Sequence, residues 1–425
     1  MAPPPFMTPL GLLPTRVIQL LALLAPATVL LVRSGMQTSL ALLLCISLVG
    51  LTLRQRLPVV SKEERLLALS LLAYPAAVLL GFAWHQRVTW PELDAPSRFM
   101  LVIPIFLYLA RVDVPIFRCY RWGCALGCIG AAGWAVWAIG FELSPFPGRA
   151  ANYFVNPIPF ACLASILAFS ALPDRSQSCR SHAVLWGCAV LGLGAAMASQ
   201  SRAILLVIPP ASLLYFLSYR QRGVISTRQW VWAAVGTLAL SGLSATLLKD
   251  RIAVGVHELA ANPGELINSS MGIRLQLWHA SSEVFLAHPL LGVGKGQLPQ
   301  ELKKMADQGV ITRDAADFRH SHSDLLFVLA ETGLVGAASV LAIYLTFLVA
   351  FSRRLSSPVP GIRSAAYAGT VTLGAYFAFG LADSMLTQSM QTAFLGLALA
   401  LLFAHIRQRE RLTALAPVRF NPATP

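Results

Sequence analysis

Charged side chains are scarce in this chain. Asp, Glu, Lys and Arg together make up 12% of its 425 residues, about half the roughly 25% that is usual in soluble domains. Many stretches long enough to cross a bilayer contain none of the four residue types. This composition excludes a soluble protein with a charged surface, and it predicts an integral membrane protein that crosses the bilayer as helices.

The placement of the seven cysteines excludes two further features. All of them fall in apolar spans or in loops that we predict to be cytoplasmic, and the long loop 249–321 contains none. The spacing of Cys124 and Cys128 matches neither a zinc nor a redox motif. We therefore predict no disulfide and no structural metal ion. We also expect no cleaved signal peptide, because the first apolar run, 17–32, has no small-residue cleavage site and a second span follows it.

The net charge of +14 does not indicate a nucleic-acid partner. The cations are divided among short loops between apolar runs, where they report topology and contact with anionic membrane lipids. The runs predict an all-α, polytopic membrane protein with about twelve transmembrane helices. The predicted spans are 17–32, 38–53, 66–83, 98–110, 123–141, 153–171, 183–198, 203–219, 230–248, 333–352, 365–383 and 389–406.

Lys and Arg are concentrated in every second short loop, as in Arg353 and Arg354. The positive-inside rule therefore places both termini in the cytoplasm and the long loop on the outer side. The predicted divisions are an N-terminal bundle of about nine helices (1–248), the loop subdomain (249–321), about three C-terminal helices (322–406) and a cytoplasmic tail (407–425). No internal repeat is evident, which disfavours an inverted-repeat transporter.

The loop 249–321 alternates polar and apolar residues in a pattern that favours short amphipathic helices on the membrane surface. The run Gly292-Val293-Gly294-Lys295-Gly296 is not expected to hold a nucleotide phosphate, because no strand precedes it and ATP is absent outside the cell. We interpret it as a tight turn that aims Lys295.

The polar residues predicted on the outer side are few. They are Arg98, Arg149, Arg202, Arg274, Lys295, His320, His322, Asp324 and Asp383. Imidazoles exchange protons near neutral pH, and arginine binds phosphate through a planar fork of donors, so the set favours a phosphorylated substrate. The alternatives are structural, since interfacial arginines often extend to lipid headgroups and a histidine at a membrane edge often caps a helix.

Three segments resemble the bacterial O-antigen ligase family. His322-Ser323, followed after nine residues by Gly333 and after two more by Gly336, is similar to the family signature, although many relatives carry Asn in place of Ser323. Ser201-Arg202-Ala203 resembles its Ser-Arg-small motif, and 274–294 resembles its large-loop pattern. The specific similarity is confined to about 199–203 and 272–336.

The resemblance implies a metal-independent, inverting glycosyltransferase of the GT-C type in the bacterial inner membrane. It would move O-antigen from undecaprenyl diphosphate to the lipid A-core in the periplasm, without ATP. His322 would be the catalytic base, and Arg202 and Arg274 would contact the diphosphate. Lys295, Arg98, Arg149 and His320 are further candidates for the site.

Three other interpretations stay open at the level of sequence. An O-antigen polymerase shares the donor and the late outer loop, and a protein O-oligosaccharyltransferase is a relative that is usually longer. A proton-coupled transporter or lipid flippase would use His322, Glu331 and Asp383 as a relay. A relay normally requires ionisable groups near the bilayer centre, where this chain has almost none.

Overall fold

The computed structural model describes residues 9–53, 59–174, 177–220 and 269–415, with the single positions 242, 246 and 253. Within these residues the chain is helical, and the only β-type pairing is one bridge between Asn152 and Val155. The prediction of an all-α, polytopic membrane protein is confirmed. The long helices are α1 (Pro9–Thr28), α2 (Gly35–Thr52), α3 (Lys62–His85), α4 (Asp94–Leu109), α5 (Ile116–Gly140), α6 (Pro157–Ala171), α7 (Cys179–Ala198), α8 (Ile208–Arg220), α9 (Ser270–Ala287), α10 (Leu298–Asp307), α12 (Asp324–Ser352), α13 (Pro360–Gly380) and α14 (Ser389–Leu415); α11 is the single turn Arg313–Ala316, and two 3₁₀ turns cover Trp90–Leu93 and Arg202–Leu206.

The described residues contain fewer membrane-length helices than the hydropathy pattern predicts. Six described helices are long and apolar enough to cross a membrane: α2, α3, α5, α7, α12 and α14. Shorter apolar helices include α6 and parts of α1 and α8. A helix overlaps every predicted span except 230–248, which lies outside the described residues apart from the single positions 242 and 246. The count of twelve is therefore not confirmed.

Helix boundaries differ from the predicted spans by up to nine residues, most of all at the start of α12 and the end of α14. Helix α12 begins at Asp324, nine residues before the predicted span, and Gly333, where that span begins, is a break inside the helix. Helix α14 continues to Leu415, well beyond residue 406. The charged end of α14 is held by ion pairs, since Arg354 bridges Glu63 and Glu410 at 2.7 and 2.6 Å.

Helix α14 lies at the centre of the bundle. In its membrane-length window 94% of the residues are buried, compared with 28% for α2 and for α12. It packs against α4 and α13, and α1 packs against α5. Phe403 of α14 contacts the rings of Phe106, Phe347 and Phe351 at centroid distances of 5.8 to 6.4 Å. Such close contacts matter because lipid tails are as apolar as the side chains, so van der Waals packing holds membrane helices together.

A small helical subdomain lies against the start of α12. Helices α9, α10 and α11 share a hydrophobic cluster that includes Leu277, Leu302 and Ala315 with Phe327 of α12. This cluster is the packed counterpart of the amphipathic pattern predicted for 249–321. Residues 254–268 of that loop lie outside the described part of the chain.

Candidate functional site

Helix α12 breaks near its start, and a loop fills the break. Gly333 has φ 61° and ψ −159°, a conformation that essentially only glycine adopts. A Cβ atom there would lie 2.3 Å from the carbonyl oxygen of Leu290. The carbonyl groups of Ala330 and Glu331, freed by the break, accept hydrogen bonds from Val293 and Gly294 at 3.0 Å. The glycines of the two segments therefore let loop and helix approach closely.

The loop directs Lys295 into the protein. Its ammonium donates to Glu331 at 2.6 Å and lies 4.1 Å from the centroid of the Phe327 ring. Burial alone would lower the pKa of the Lys295 ammonium, but the Glu331 carboxylate outweighs this, so its pKa lies above the ordinary value. Removing either partner of a buried ion pair is costly, because it leaves an uncompensated charge. The Lys295–Glu331 pair therefore holds the loop against α12.

His322 lies where the subdomain returns to the bundle, one residue before the N-cap of α12. Its Nδ1 is 3.0 Å from Oδ1 of Asp383, which follows α13. Burial would raise the pKa of the Asp383 carboxyl, but the hydrogen bond and the charge of His322, with a contribution from His320, hold that pKa below its usual value. The backbone N–H of Ser384 donates to the same oxygen at 2.9 Å. A carboxylate on Nδ1 leaves Nε2 of a neutral imidazole able to accept a proton.

His322 has a strained backbone. Its φ of 51° lies in the left-handed region, which costs a residue with a side chain about 1–2 kcal/mol. Gln200, two residues before Arg202, has a similar φ of 55°. Non-glycine residues in such conformations cluster at functional sites, where the surrounding structure holds them.

His320 lies beside this pair. Its ring centroid is 4.5 Å from that of His322, and its Nδ1 is 4.0 Å from Oδ1 of Asp383. Burial lowers the pKa of the His320 imidazole; the Asp383 carboxylate opposes this shift and the His322 ring adds to it. One ligand atom from each of these three residues lies within 4.8 Å of the others, so the set has the geometry to hold a metal ion.

Three arginines converge in a neighbouring pocket with an empty volume of about 470 Å³. They are Arg149, Arg202 and Arg274, and none of the described residues that line the pocket carries a carboxylate. A pocket of this composition is suited to an anion with several oxygens, since each guanidinium presents a fork of donors.

Local structure brings these arginines together from three parts of the chain. Gln200 donates to the carbonyl of Gly148 and Arg149 donates to that of Ser199, both at 2.9 Å, so the loop before α6 is joined to the turn after α7. Arg202 begins the 3₁₀ turn that follows. Arg274 lies on α9, whose N-terminus is capped by Ser269.

The arginine pocket and the histidine pair are adjacent. Ala382 lines the pocket, and the next residue, Asp383, binds His322. An apolar groove lies between α5 and α7, and on the α7 side its lining runs from Val190 to Ala198. It ends two residues before Gln200, which lines the arginine pocket. The groove residues span about 12 Å along α7. A ligand with an anionic group in the pocket and an apolar tail in the groove would match this arrangement.

The remaining candidates from the sequence lie elsewhere. Lys295 and Arg98 are not among the residues that line the arginine pocket. Arg98 forms an ion pair with Asp94 one turn earlier on α4, and Ser389 also contacts Asp94. The sequence grouped Asp383 with His322 only as relay residues of a transporter and did not predict their hydrogen bond, although the end of the predicted span 365–383 placed that carboxylate at the same membrane edge.

Residues 187–341 match the family model described as O-antigen ligase (Wzy_C). No curated protein matches the chain at a significant level. The matched region contains Arg202, Arg274 and His322, whereas Arg149 and Asp383 lie outside it. Residues 187–341, about a third of the chain, thus match a domain of the O-antigen ligase/polymerase superfamily.

Proposed function

We propose that the protein is an O-antigen ligase, an inverting glycosyltransferase of the GT-C type in the bacterial inner membrane. It would transfer the glycan of undecaprenyl diphosphate to a sugar of the lipid A-core at the periplasmic face. The observation that carries this proposal is the three-arginine pocket adjacent to the His322–Asp383 pair. The orientation, with both termini in the cytoplasm, follows from the distribution of Lys and Arg.

The arginines would bind the diphosphate of the donor. As the glycosidic bond breaks, negative charge grows on the leaving diphosphate, and fixed guanidinium groups stabilise that charge more in the transition state than in the ground state. Arg202 and Arg274 are the main contacts in this proposal, and Arg149 joins them through the same pocket. Guanidinium groups would thereby do what a divalent cation does in many phosphoryl sites, and no cofactor or nucleotide is required.

The groove between α5 and α7 would receive the first isoprene units of the donor. Its lining is composed of small and aliphatic residues, and it opens beside the turn that carries Arg202. An undecaprenyl chain would remain in the bilayer beyond the groove. This arrangement would hold the diphosphate at the membrane boundary.

His322 would act as the general base. Nε2 would accept the proton of the acceptor hydroxyl while its oxygen forms a bond to the anomeric carbon, and the bond from that carbon to the diphosphate oxygen breaks on the opposite face. Asp383 would orient the ring and stabilise the imidazolium that forms. The products are the glycosylated core and undecaprenyl diphosphate, and the configuration at the anomeric carbon is inverted.

Reconstitution tests this proposal directly. Purified protein would be mixed with lipid-linked glycan and lipid A-core in the presence of a chelator, without ATP or an ion gradient. We expect transfer by the wild-type protein and by His279→Ala, which changes an exposed histidine of α9, and none by His322→Ala. Near-normal transfer by His322→Ala would remove the catalytic assignment. Transfer without a gradient would also exclude the transporter or flippase interpretation.

An O-antigen polymerase is the alternative within the same superfamily. It would use the same donor and the same base, so the acceptor alone separates the two enzymes. In cells that lack the protein, lipid-linked polymer with bare core lipopolysaccharide supports a ligase. A single repeat unit on the core supports a polymerase instead.

A further inference from the structure

We propose that His320, His322 and Asp383 form an inhibitory binding site for a divalent transition-metal ion such as Zn²⁺. The inhibitory part rests on the proposed function, because the ion would occupy the imidazole that acts as base. The binding part rests on the three side chains alone.

The ligand types suit zinc. Two imidazole nitrogens and one carboxylate oxygen, with a water molecule as fourth ligand, are a common donor set for this ion. With bonds of about 2.0–2.1 Å, neighbouring ligand atoms of a tetrahedral site lie about 3.3–3.4 Å apart. Here Oδ1 of Asp383 lies 3.0 Å from Nδ1 of His322 and 4.0 Å from Nδ1 of His320. Small side-chain rotations would therefore bring both pairs to the required separation.

A second observation points to a ligand at this position. Nδ1 of His320 is buried and makes no hydrogen bond with any residue that the structure describes. A buried polar atom normally has a partner, because losing its hydrogen bond to water is costly. The His320 side chain is nevertheless 23% exposed and that of His322 17%, so an ion from solution can reach the three ligands.

Metal binding and base catalysis would exclude each other. Nδ1 of His322 would have to leave its hydrogen bond with Asp383 and bind the ion, which takes the ring out of its orientation and its carboxylate contact. The imidazole would then carry the charge of the ion and accept a proton far less readily. The neighbouring arginines repel a cation, so we expect affinity below that of structural zinc sites.

Calorimetric titration with ZnCl₂ tests the site on untagged, metal-free protein. Wild type and the control His279→Gln are expected to bind one ion at this site with equal affinity. Loss of an outer-shell partner of a metal ligand typically weakens metal binding about 10–100-fold. His320→Gln removes a ligand itself, so this variant should bind zinc about tenfold more weakly, or weaker still. Equal affinity in wild type and His320→Gln would overturn the proposal, as would a failure of wild type to bind.

Inhibition is measured in the reconstituted transfer assay over the same zinc concentrations. Each variant is compared with its own zinc-free rate. We expect zinc to suppress transfer by wild type, EDTA to restore it, and His320→Gln to require about tenfold more zinc. Zinc binding without suppression would overturn the inhibitory role. If the metal-free protein has no transfer activity at all, the proposed function fails, whereas the titration still decides the zinc site.

Discussion

Asp383 accepts a hydrogen bond from His322. In the proposed mechanism its carboxylate is the only charged group that contacts the His322 ring. Asp383→Asn removes this charge with little change of shape. The backbone N–H of Ser384 donates to the oxygen that faces His322, so the amide oxygen of Asn would keep that position and still accept from Nδ1. The variant therefore tests the charge and leaves the tautomer of His322 unchanged.

The size of the effect follows from the separation of 3.0 Å between the two atoms. With an effective dielectric constant of about 20, a full imidazolium and the carboxylate attract each other by about 5 kcal/mol. A proton that is half transferred in the transition state gains about half of this. A loss of about 2.5 kcal/mol corresponds to a fall in kcat of about 50–100-fold.

The assay is transfer by purified protein with both lipid-linked substrates varied in turn. We expect kcat to fall while KM for the donor changes little, because Asp383 is not among the residues that line the arginine pocket. Asp113→Asn is the matched control: Asp113 contacts Gln408 near the far end of α14, and its kcat should equal that of the wild type. A decrease of less than about fivefold in Asp383→Asn, with folding intact, would refute the role given to the carboxylate.

The remaining predictions concern the donor. Loss of one fixed donor to a developing anion typically costs about 10²–10³ in rate, so Arg202→Ala should lower kcat by about this factor while membrane insertion persists; Arg202→Lys should restore little, because an ammonium lacks the planar fork, and full activity in the lysine variant would argue against bidentate contact. Gly194→Phe should raise KM for the lipid-linked donor several-fold, since position 194 lines the groove between α5 and α7 and a Cβ there meets no atom of a described residue within 4 Å. Gly187→Phe, on the same helix at an equally open position outside the groove, is its control; equal KM values in the two variants would show that the groove does not hold the donor.

Hydropathy predicted most of the helices because it is a local property of the chain. A run such as 123–141 must satisfy its backbone within one helix in the bilayer, whatever packs beside it. Helix α12 consists of two segments joined across the break at Gly333. Hydropathy predicted only the second segment, because Glu331 interrupts the apolar run and its partner Lys295 is 36 residues away in sequence.

The site was predicted in its residue types and only partly in its geometry. Ser201-Arg202-Ala203 and His322-Ser323 have a local pattern that resembles known motifs, so the sequence alone nominated them. Asp383 has no such motif around it, and Arg149 carried no signal that distinguished it from other interfacial arginines. Arg149 was named only as a further candidate and Asp383 only as an outer polar residue or a transporter relay residue, and the packing of neighbouring helix ends placed both beside the predicted residues.

By itself the sequence determined that this chain is a helical membrane protein, and which residue types stand near its membrane edges, because burial in lipid and the charge of a side chain depend on composition over one helix. Only the tertiary structure decided which carboxylate meets which imidazole, that Lys295 serves Glu331, and that three arginines share one pocket. Those pairings join positions from 36 to about 125 residues apart in sequence, and contacts across such distances depend on how whole helices pack rather than on any local pattern.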